Sequence, residues 1–217
     1  MPARLRVAFS RPPASWNAVV TIDTERFRLA LDRFDAENAQ DPNVEIIDNV
    51  RHPKELIYSQ RMSDWLARLE PDATEALKLA ARAQHIRRWE IPRSSYPMDR
   101  PGYHRWRTDL GKFHAQTAGR ILAEVGYDEE IIRRVQSLLR KERLKADPDT
   151  QLLEDVICLV FLENYFAPFS ERHDEAKLIG ILRRTWAKMS PRGHEAALKL
   201  DLPAEKRSLI EKALSGN

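Results

Sequence analysis

The sequence contains few cysteines, glycines and aromatic residues, and each shortage narrows the fold. Among 217 residues there is 1 cysteine, which excludes a disulfide framework, and Cys158 lies in an apolar run that predicts a buried thiol. With 7 glycines, 8 % aromatic residues and 32 % charged residues, the composition favours helices over sheets. A chain of this length can bury one good core, so we expect a single domain.

Long apolar segments and short catalytic motifs are missing as well. No apolar stretch reaches the roughly 18 residues that a membrane-spanning helix needs. The sequence has no Walker loop, GxGxxG, CxxC, HExxH or GxSxG motif, and no convincing recognition helix for nucleic acid. We therefore expect a cytoplasmic protein without a membrane partner.

Arginine, in contrast, is concentrated in one stretch. Residues 82–107, which we call the arginine segment, read RAQHIRRWEIPRSSYPMDRPGYHRWR, with seven arginines and no lysine. Arginine binds phosphate and carboxylate through paired hydrogen bonds and also stacks on aromatic rings. Because the net charge of the whole chain is only +3, this positive charge is local. The segment therefore predicts a focused anion site and not a broad nucleic-acid-binding surface.

Helical periodicity predicts an all-α domain over residues 23–217, with about 8 to 9 helices. Residues 1–22 combine arginines and prolines with no acidic residue, so we expect a disordered or mis-assigned N-terminal extension. Pro92, Pro97 and Pro101 exclude a regular helix between about 91 and 103. The helix expected over 149–166 contains VICLVFL, which is apolar on all sides and predicts a central, buried helix.

Five ionisable residues lie on the apolar faces of these helices. They are His85, His114, Glu142, Asp155 and Glu163. Burying such groups is costly unless they pair, bind a metal or perform chemistry. If the helices converge, these side chains would form either a mononuclear metal site with nitrogen and oxygen ligands or a metal-free acid–base pair.

Structural roles are an alternative for the same residues. A single histidine on an apolar face is commonly a hydrogen-bonded core residue, and Glu142 lies near a helix end that solvent can reach. The arginines of the segment could pair with neighbouring carboxylates as a structural network. Lys141 and Lys188 are expected on solvated helix surfaces.

Six stretches resemble an uncharacterised bacterial and fungal family of about this length. They are DRFDAENAQDP, KELIYSQRMSDWL, LAARAQHIRRWEIPRSSYPMDRPGYHRWRTDL, FHAQTAGRIL, LLEDVICLVFLENYF and RRTWAKMS. The resemblance covers residues 24–214 approximately and implies no function, because that family has none established. Some members are labelled glutamyl-tRNA synthetase, but no HIGH-type or KMSKS-type nucleotide motif is present here.

The helix order is more distantly similar to that of the HD-domain metal-dependent phosphohydrolases. This similarity implies an HD-domain-like helical bundle, with His85 at the paired His, His114 at an auxiliary His and Asp155 at the late Asp. Tyr58 stands at the position of the first His, and Ile86 at that of the paired Asp. Two of the four core metal ligands are therefore replaced.

These observations lead to one main functional hypothesis, hydrolysis of a phosphorylated small molecule, with a nucleotide as the first candidate. The expected substrate-binding residues are Arg82, Arg87, Arg88, Trp89, Arg93 and Trp106. The expected catalytic residues are His85, His114, Glu142 and Asp155. A divalent metal (Mn, Fe, Mg or Zn) bound by His85, His114 and Asp155 would lower the pKa of a bound water to about 7.

Two alternatives remain open at the level of sequence. The arginine segment could serve a non-catalytic sensor of an anionic metabolite, which the apolar Ile86 favours. It could also bind tRNA or another RNA through arginine and tryptophan stacking, although the modest net charge argues against this. The sequence does not predict the oligomeric state.

Overall fold

A computed structural model describes residues 24–215, and this range contains ten α-helices and one two-stranded hairpin. The elements are α1 (Thr24–Asn38), β1 (Val44–Ile47), β2 (Val50–Pro53), α2 (Lys54–Leu69), α3 (Glu75–Ala83), α4 (Arg100–Val125), α5 (Glu129–Leu139), α6 (Pro148–Val160), α7 (Phe166–Ser170), α8 (Glu175–Trp186), α9 (Pro191–Leu198) and α10 (Ala204–Leu214). Two 3₁₀ turns cover Arg88–Glu90 and Arg93–Ser95, and a π-helix covers Phe161–Tyr165. The expected extension, residues 1–22, lies outside the described residues.

The hairpin corrects the predicted all-α class to a mostly helical one. Strands β1 and β2 pair antiparallel, with Val44 opposite Pro53 and Ile47 opposite Val50. Asp48 and Asn49 connect them, and both have positive φ, 49° and 64°. Asp and Asn tolerate this left-handed conformation and suit a tight two-residue hairpin turn. The strands are only four residues long, which is too short for a clear alternation signal.

Helix α4 begins earlier than predicted, because Pro101 does not prevent it. Asp99 caps the helix by accepting a hydrogen bond from the Gly102 N–H at 2.7 Å, and Pro101 lies in the first turn. Proline is tolerated there since the first N–H groups of a helix have no partner within it. Gly126, with φ of 89°, ends the helix in the left-handed conformation that glycine adopts readily. The last eight residues of the arginine segment, 100–107, are consequently helical.

Buried apolar side chains from α1 to α10 form one contiguous core. Helix α6 contacts α2, α3, α5 and α9, and its Leu153, Val156 and Leu159 are fully buried. This confirms the prediction of a central helix, although α6 ends at Val160, where the π-helix begins, and not at residue 166. None of the helices within residues 24–215 is both long enough and apolar enough to cross a membrane.

Candidate functional site

A cleft of about 380 Å³ lies where the end of α3, the first half of α4 and the end of α5 meet. Its charged lining consists of five cations and one carboxylate, which are Arg88, Arg107, Lys112, Arg140, Lys141 and Glu142. His85 and His114 also line it, with ring centroids 6.0 Å apart. The size suits a small molecule, and the excess of positive charge suits an anion.

His85 is held as a neutral imidazole of one tautomer. Its Nε2 lies 3.2 Å from Nη1 of Arg88, and its Nδ1 lies 3.0 Å from Oε2 of Glu55. A guanidinium can only donate, so Nε2 accepts from Arg88 and the proton of the ring is on Nδ1, which donates to Glu55. Burial, and then the positive charge of Arg88, holds the pKa of His85 well below its usual range.

Glu55 and Tyr58, one turn apart on α2, hold this imidazole from two directions. The Tyr58 ring stacks on His85 with centroids 3.8 Å apart and an interplanar angle of 10°. Burial raises the pKa of Glu55 to about 7, an effect that Arg88 partly opposes. Sequence reasoning missed Glu55, although it lies three residues before Tyr58 and seven before Met62, on the apolar face of α2.

His114 offers a second imidazole nitrogen that can only accept a hydrogen bond. Its Nδ1 lies 2.8 Å from the carbonyl oxygen of Ile86, so Nδ1 carries the proton and Nε2 does not. Nε2 is buried and has no hydrogen-bond partner among residues 24–215. Burial and Arg88 lower the pKa of His114 to about 3, so the ring stays neutral.

Arg88 and Arg107 provide the charge that is available to a ligand. Arg88 lies over the Trp106 ring at 4.7 Å, and the Trp106 indole donates to the Ile91 carbonyl at 2.8 Å. Arg88 reaches Glu55 only at 3.9 Å. Within the described part of the chain, Arg107 has no hydrogen-bond or ion-pair partner. Burial and the neighbouring Arg107 lower the pKa of Arg88, and a bound anion would relieve this repulsion.

Lys141 belongs to the cleft and not to the solvated surface, so the expectation for this lysine was wrong. Its side chain is 21 % exposed and pairs with Glu154, which is itself buried. Lys141, Arg143 and Lys145 all have positive φ, between 56° and 72°. Backbone strain in residues other than glycine clusters at functional sites, and Lys141 and Glu142, the two residues that follow Arg140 in the α5–α6 connection, line the cleft.

Three arginines of the predicted substrate-binding set lie outside the cleft lining and have structural partners. Arg82 binds Asp35 of α1 through two hydrogen bonds of 2.6 and 2.7 Å. Arg87 pairs with Glu37 at 3.1 Å and also with Glu90. Arg93 donates to backbone carbonyls of its own loop at 3.0 and 3.3 Å. Of the expected arginines, only Arg88 lines the cleft.

The two predicted tryptophans do not line the cleft either. Trp106 is buried, and its ring lies beneath the Arg88 guanidinium. Trp89 is half-buried in the 3₁₀ turn over Arg88–Glu90. Neither indole face is presented to the cavity, so stacking on a nucleobase finds no support in the geometry.

Of the three predicted metal ligands, His85 and His114 line the cleft but Asp155 does not. Asp155 accepts hydrogen bonds from the Ser190 N–H at 2.7 Å and from Gln151 at 3.1 Å, and thereby anchors the start of α9. Glu142 lines the cleft but is 47 % exposed and pairs with Arg140 at 2.7 Å. Within residues 24–215 no group of three or more His, Cys, Asp or Glu side chains could hold a metal ion. The donor set therefore does not fit a resident divalent metal.

Comparisons with known proteins identify a family whose function is unknown. A search of the curated proteins and a search of the solved structures each gave no significant match. A family profile described as "Domain of unknown function (DUF4202)" matches residues 28–210, which include every residue of the cleft. Because this match covers most of the chain, the protein belongs to the DUF4202 family.

Proposed function

We propose that this protein binds a phosphorylated small molecule in the cationic cleft and hydrolyses it with His85 as the general base, without a resident metal. One observation carries the proposal: the unprotonated Nε2 of His85 lies at Arg88 in the cleft, while Glu55 fixes Nδ1–H on the opposite side of the ring. An imidazole oriented by a carboxylate beside anion-binding arginines is suited to proton transfer at a bound phosphate ester.

Anion binding would rest on two arginines that line one cavity, Arg88 in the 3₁₀ turn after α3 and Arg107 on α4. Among the described residues, Arg107 has no hydrogen-bond or ion-pair partner, and the only ion pair of Arg88 is a long one, 3.9 Å to Glu55. Both guanidinium groups can therefore turn to a phosphate without breaking a strong ion pair. When Arg88 moves its donor from His85 to the ligand, Nε2 of His85 becomes free to accept a proton.

The hydrolytic step uses that nitrogen. Nε2 takes a proton from a water molecule, the water oxygen forms a bond to phosphorus, and the ester P–O bond breaks. The proton on Nε2 then passes to the departing oxygen, which restores the neutral imidazole. Glu55, at 3.0 Å from Nδ1, stabilises the transient imidazolium when its carboxylate is ionised.

The proposal is narrower than the hypothesis drawn from sequence. Because neither Trp89 nor Trp106 lines the cleft, the proposal does not require the substrate to contain a nucleobase. Of the similarity to HD-domain phosphohydrolases, the proposal uses only a helical scaffold with His85 and His114 side by side. It does not use Asp155 as a metal ligand, because Asp155 anchors the start of α9.

A non-catalytic sensor is the second candidate, because the Arg88 contact at 3.2 Å already occupies His85 Nε2. In that case the same arginines would bind the ligand without turnover.

The test is a phosphate-release screen over phosphomonoesters, with a chelator and with added divalent metals. We expect turnover that persists with the chelator and that His85→Ala abolishes, while the control His52→Ala, on β2 and outside the cleft, keeps the wild-type rate. Binding of inorganic phosphate is measured in parallel by calorimetry. Arg107→Gln should weaken it about tenfold or more, whereas Arg105→Gln, exposed on the same helix, should not.

The outcomes separate the two candidates. Phosphate binding that depends on Arg107, without release of phosphate from any ester, supports the sensor. An unchanged rate in His85→Ala rules out His85 as the base. Phosphate binding that is absent, or that is equal in wild type and Arg107→Gln, refutes the anion site itself.

A further inference from the structure

His114, which lines the same cleft as the arginines, has a buried acceptor that is left without a donor among the described residues. The Nδ1–H of His114 is fixed on the Ile86 carbonyl at 2.8 Å, so the ring cannot turn without losing that bond. Nε2 is consequently an unprotonated acceptor, buried and unpartnered among the described residues. An unsatisfied buried polar atom costs free energy, and a ligand that supplies a donor would recover it.

A phosphate group by itself cannot satisfy this nitrogen. Above its second pKa, which is about 6, a phosphomonoester has only acceptor oxygens. The donor must then come from the organic part of the ligand. A cationic ammonium donor would be repelled by Arg88 and Arg107, which line the same cavity. A neutral hydroxyl can donate a hydrogen bond to Nε2 and is not repelled by the two arginines.

We infer that the ligand of this cleft is a hydroxylated phosphomonoester, such as a sugar or polyol phosphate, whose hydroxyl donates to Nε2 of His114. The inference rests on the proposed function, because Arg88 and Arg107 have to hold the phosphate. The two imidazole centroids are 6.0 Å apart, so a phosphate beside His85 and a hydroxyl on His114 belong to one small molecule. His114 thereby becomes a specificity residue, while His85 remains the base.

Gln84 supports the same class of ligand. Its Oε1 is a second buried atom of the cleft lining without a hydrogen-bond partner in the described residues. A side-chain amide can turn and present either its oxygen or its nitrogen. It therefore accommodates a hydroxyl, which both donates and accepts, whereas His114 demands a donor.

The experiment compares matched ligand pairs that differ by hydroxyl groups, at about pH 8, where the phosphate is fully ionised. The probes are glycerol 3-phosphate against propyl phosphate, and ribose 5-phosphate against 2-deoxyribose 5-phosphate, measured by calorimetry on the full chain. In wild type, for at least one pair, we expect the ligand with the additional hydroxyl to bind about 5- to 150-fold more tightly. A buried acceptor left without a donor lowers the binding free energy by an amount that corresponds to this ratio.

Two substitutions at one position then assign the preference. His114→Asn keeps a side-chain N–H near the position of Nδ1 for the Ile86 carbonyl but removes the acceptor at Nε2, so the hydroxyl preference should fall below about twofold. His114→Gln places a side-chain oxygen near the position of Nε2 and should restore part of the preference. His52→Asn, remote from the cleft, serves as the matched control and should keep the wild-type ratio.

The results distinguish this inference from the proposed function. Binding of inorganic phosphate through Arg107, with equal affinities within both ligand pairs, overturns the hydroxyl inference alone. A preference that survives in His114→Asn overturns the role of His114. If neither phosphate nor any of the four probes binds, both the proposed function and the inference fail. Should His114→Asn not fold, the wild-type comparison still decides whether the preference exists.

Discussion

Replacing Glu55 with glutamine should separate stability from catalysis at this site. The Glu55 side chain is only 10 % exposed, and its carboxylate accepts the Nδ1–H of His85 at 3.0 Å. Burial raises the pKa of Glu55 from 4.5 to about 7. Ionising Glu55 therefore destabilises the folded state, and stability falls as pH rises from about 4.5 to about 7.

The size of this effect follows from the two pKa values. A difference between 4.5 and about 7, at about 1.4 kcal/mol per pKa unit, corresponds to about 3 kcal/mol of unfolding free energy. Glutamine keeps the acceptor oxygen and never ionises, so Glu55→Gln lacks this loss. The contribution of His85 is common to both proteins and cancels in the comparison.

Urea denaturation at about pH 5 and about pH 8 measures the difference. The change in unfolding free energy between the two pH values should be less favourable in wild type than in Glu55→Gln by up to about 3 kcal/mol. Glu129→Gln is the control, because the Glu129 carboxylate is 86 % exposed on α5. Parallel pH dependence in wild type and Glu55→Gln would show that Glu55 does not ionise near neutrality, and the argument would be refuted.

The same substitution should impair the proposed reaction. Wild-type phosphate release is expected to rise as pH passes about 7, because Glu55 then gains the charge that stabilises a protonated His85. Glu55→Gln should lose that rise and turn over more slowly above pH 7. A pH–rate profile identical to wild type would exclude Glu55 as the group that positions and stabilises His85.

Three further predictions concern residues whose roles the tertiary structure assigned. Arg82→Met breaks the part-buried pair with Asp35 and should lower the free energy of unfolding, measured by urea denaturation, by about 1 to 3 kcal/mol. Phosphate affinity should be unchanged, and a loss of affinity would show that Arg82 does contribute to ligand binding. Asp155→Ala removes the anchor of α9 and should lower stability by about 1 to 3 kcal/mol; a metal dependence that disappears in this variant would contradict the structural role. Gly193→Ala would place a Cβ 2.7 Å from Asp155 Oδ1, so it should lower the melting temperature, and unchanged stability would argue against this close packing.

Local patterns were sufficient for most helices. Apolar spacing of 3.6 residues predicted a helical domain, and residues with local capping chemistry, Asp128 and Gly126, bound α5 and α4 because capping depends on near neighbours. The hairpin was not predicted from the sequence, because its strands have only four residues each and valine and isoleucine lie on their exposed faces. Pro101 was over-interpreted, since the cost of a proline depends on its position in the helix.

The candidate site was only partly accessible to the same reasoning. His85 and His114 stood out as ionisable residues on apolar faces, which is a property of the sequence. Asp155 showed the same pattern, but its partners at α9 are 35 residues away. An ionisable residue at an apolar position therefore predicts that its side chain has a hydrogen-bond or ion-pair partner, but it does not predict which residue that partner is.

The sequence by itself determined a mostly helical protein with a cysteine-poor core, a local excess of arginine and two histidines at apolar positions of the helical pattern. These properties follow from composition and from periodicity within single elements. The tertiary structure alone decided which arginines are available to a ligand. Arg82 and Arg87 are paired with carboxylates of α1, whereas Arg88 and Arg107 meet in a cleft with His85. It also brought Glu55, 30 residues earlier in the chain, to the Nδ1 of His85. Hydrogen bonds and ion pairs act over a few ångströms in space and not along the chain, so their partners depend on how the helices pack.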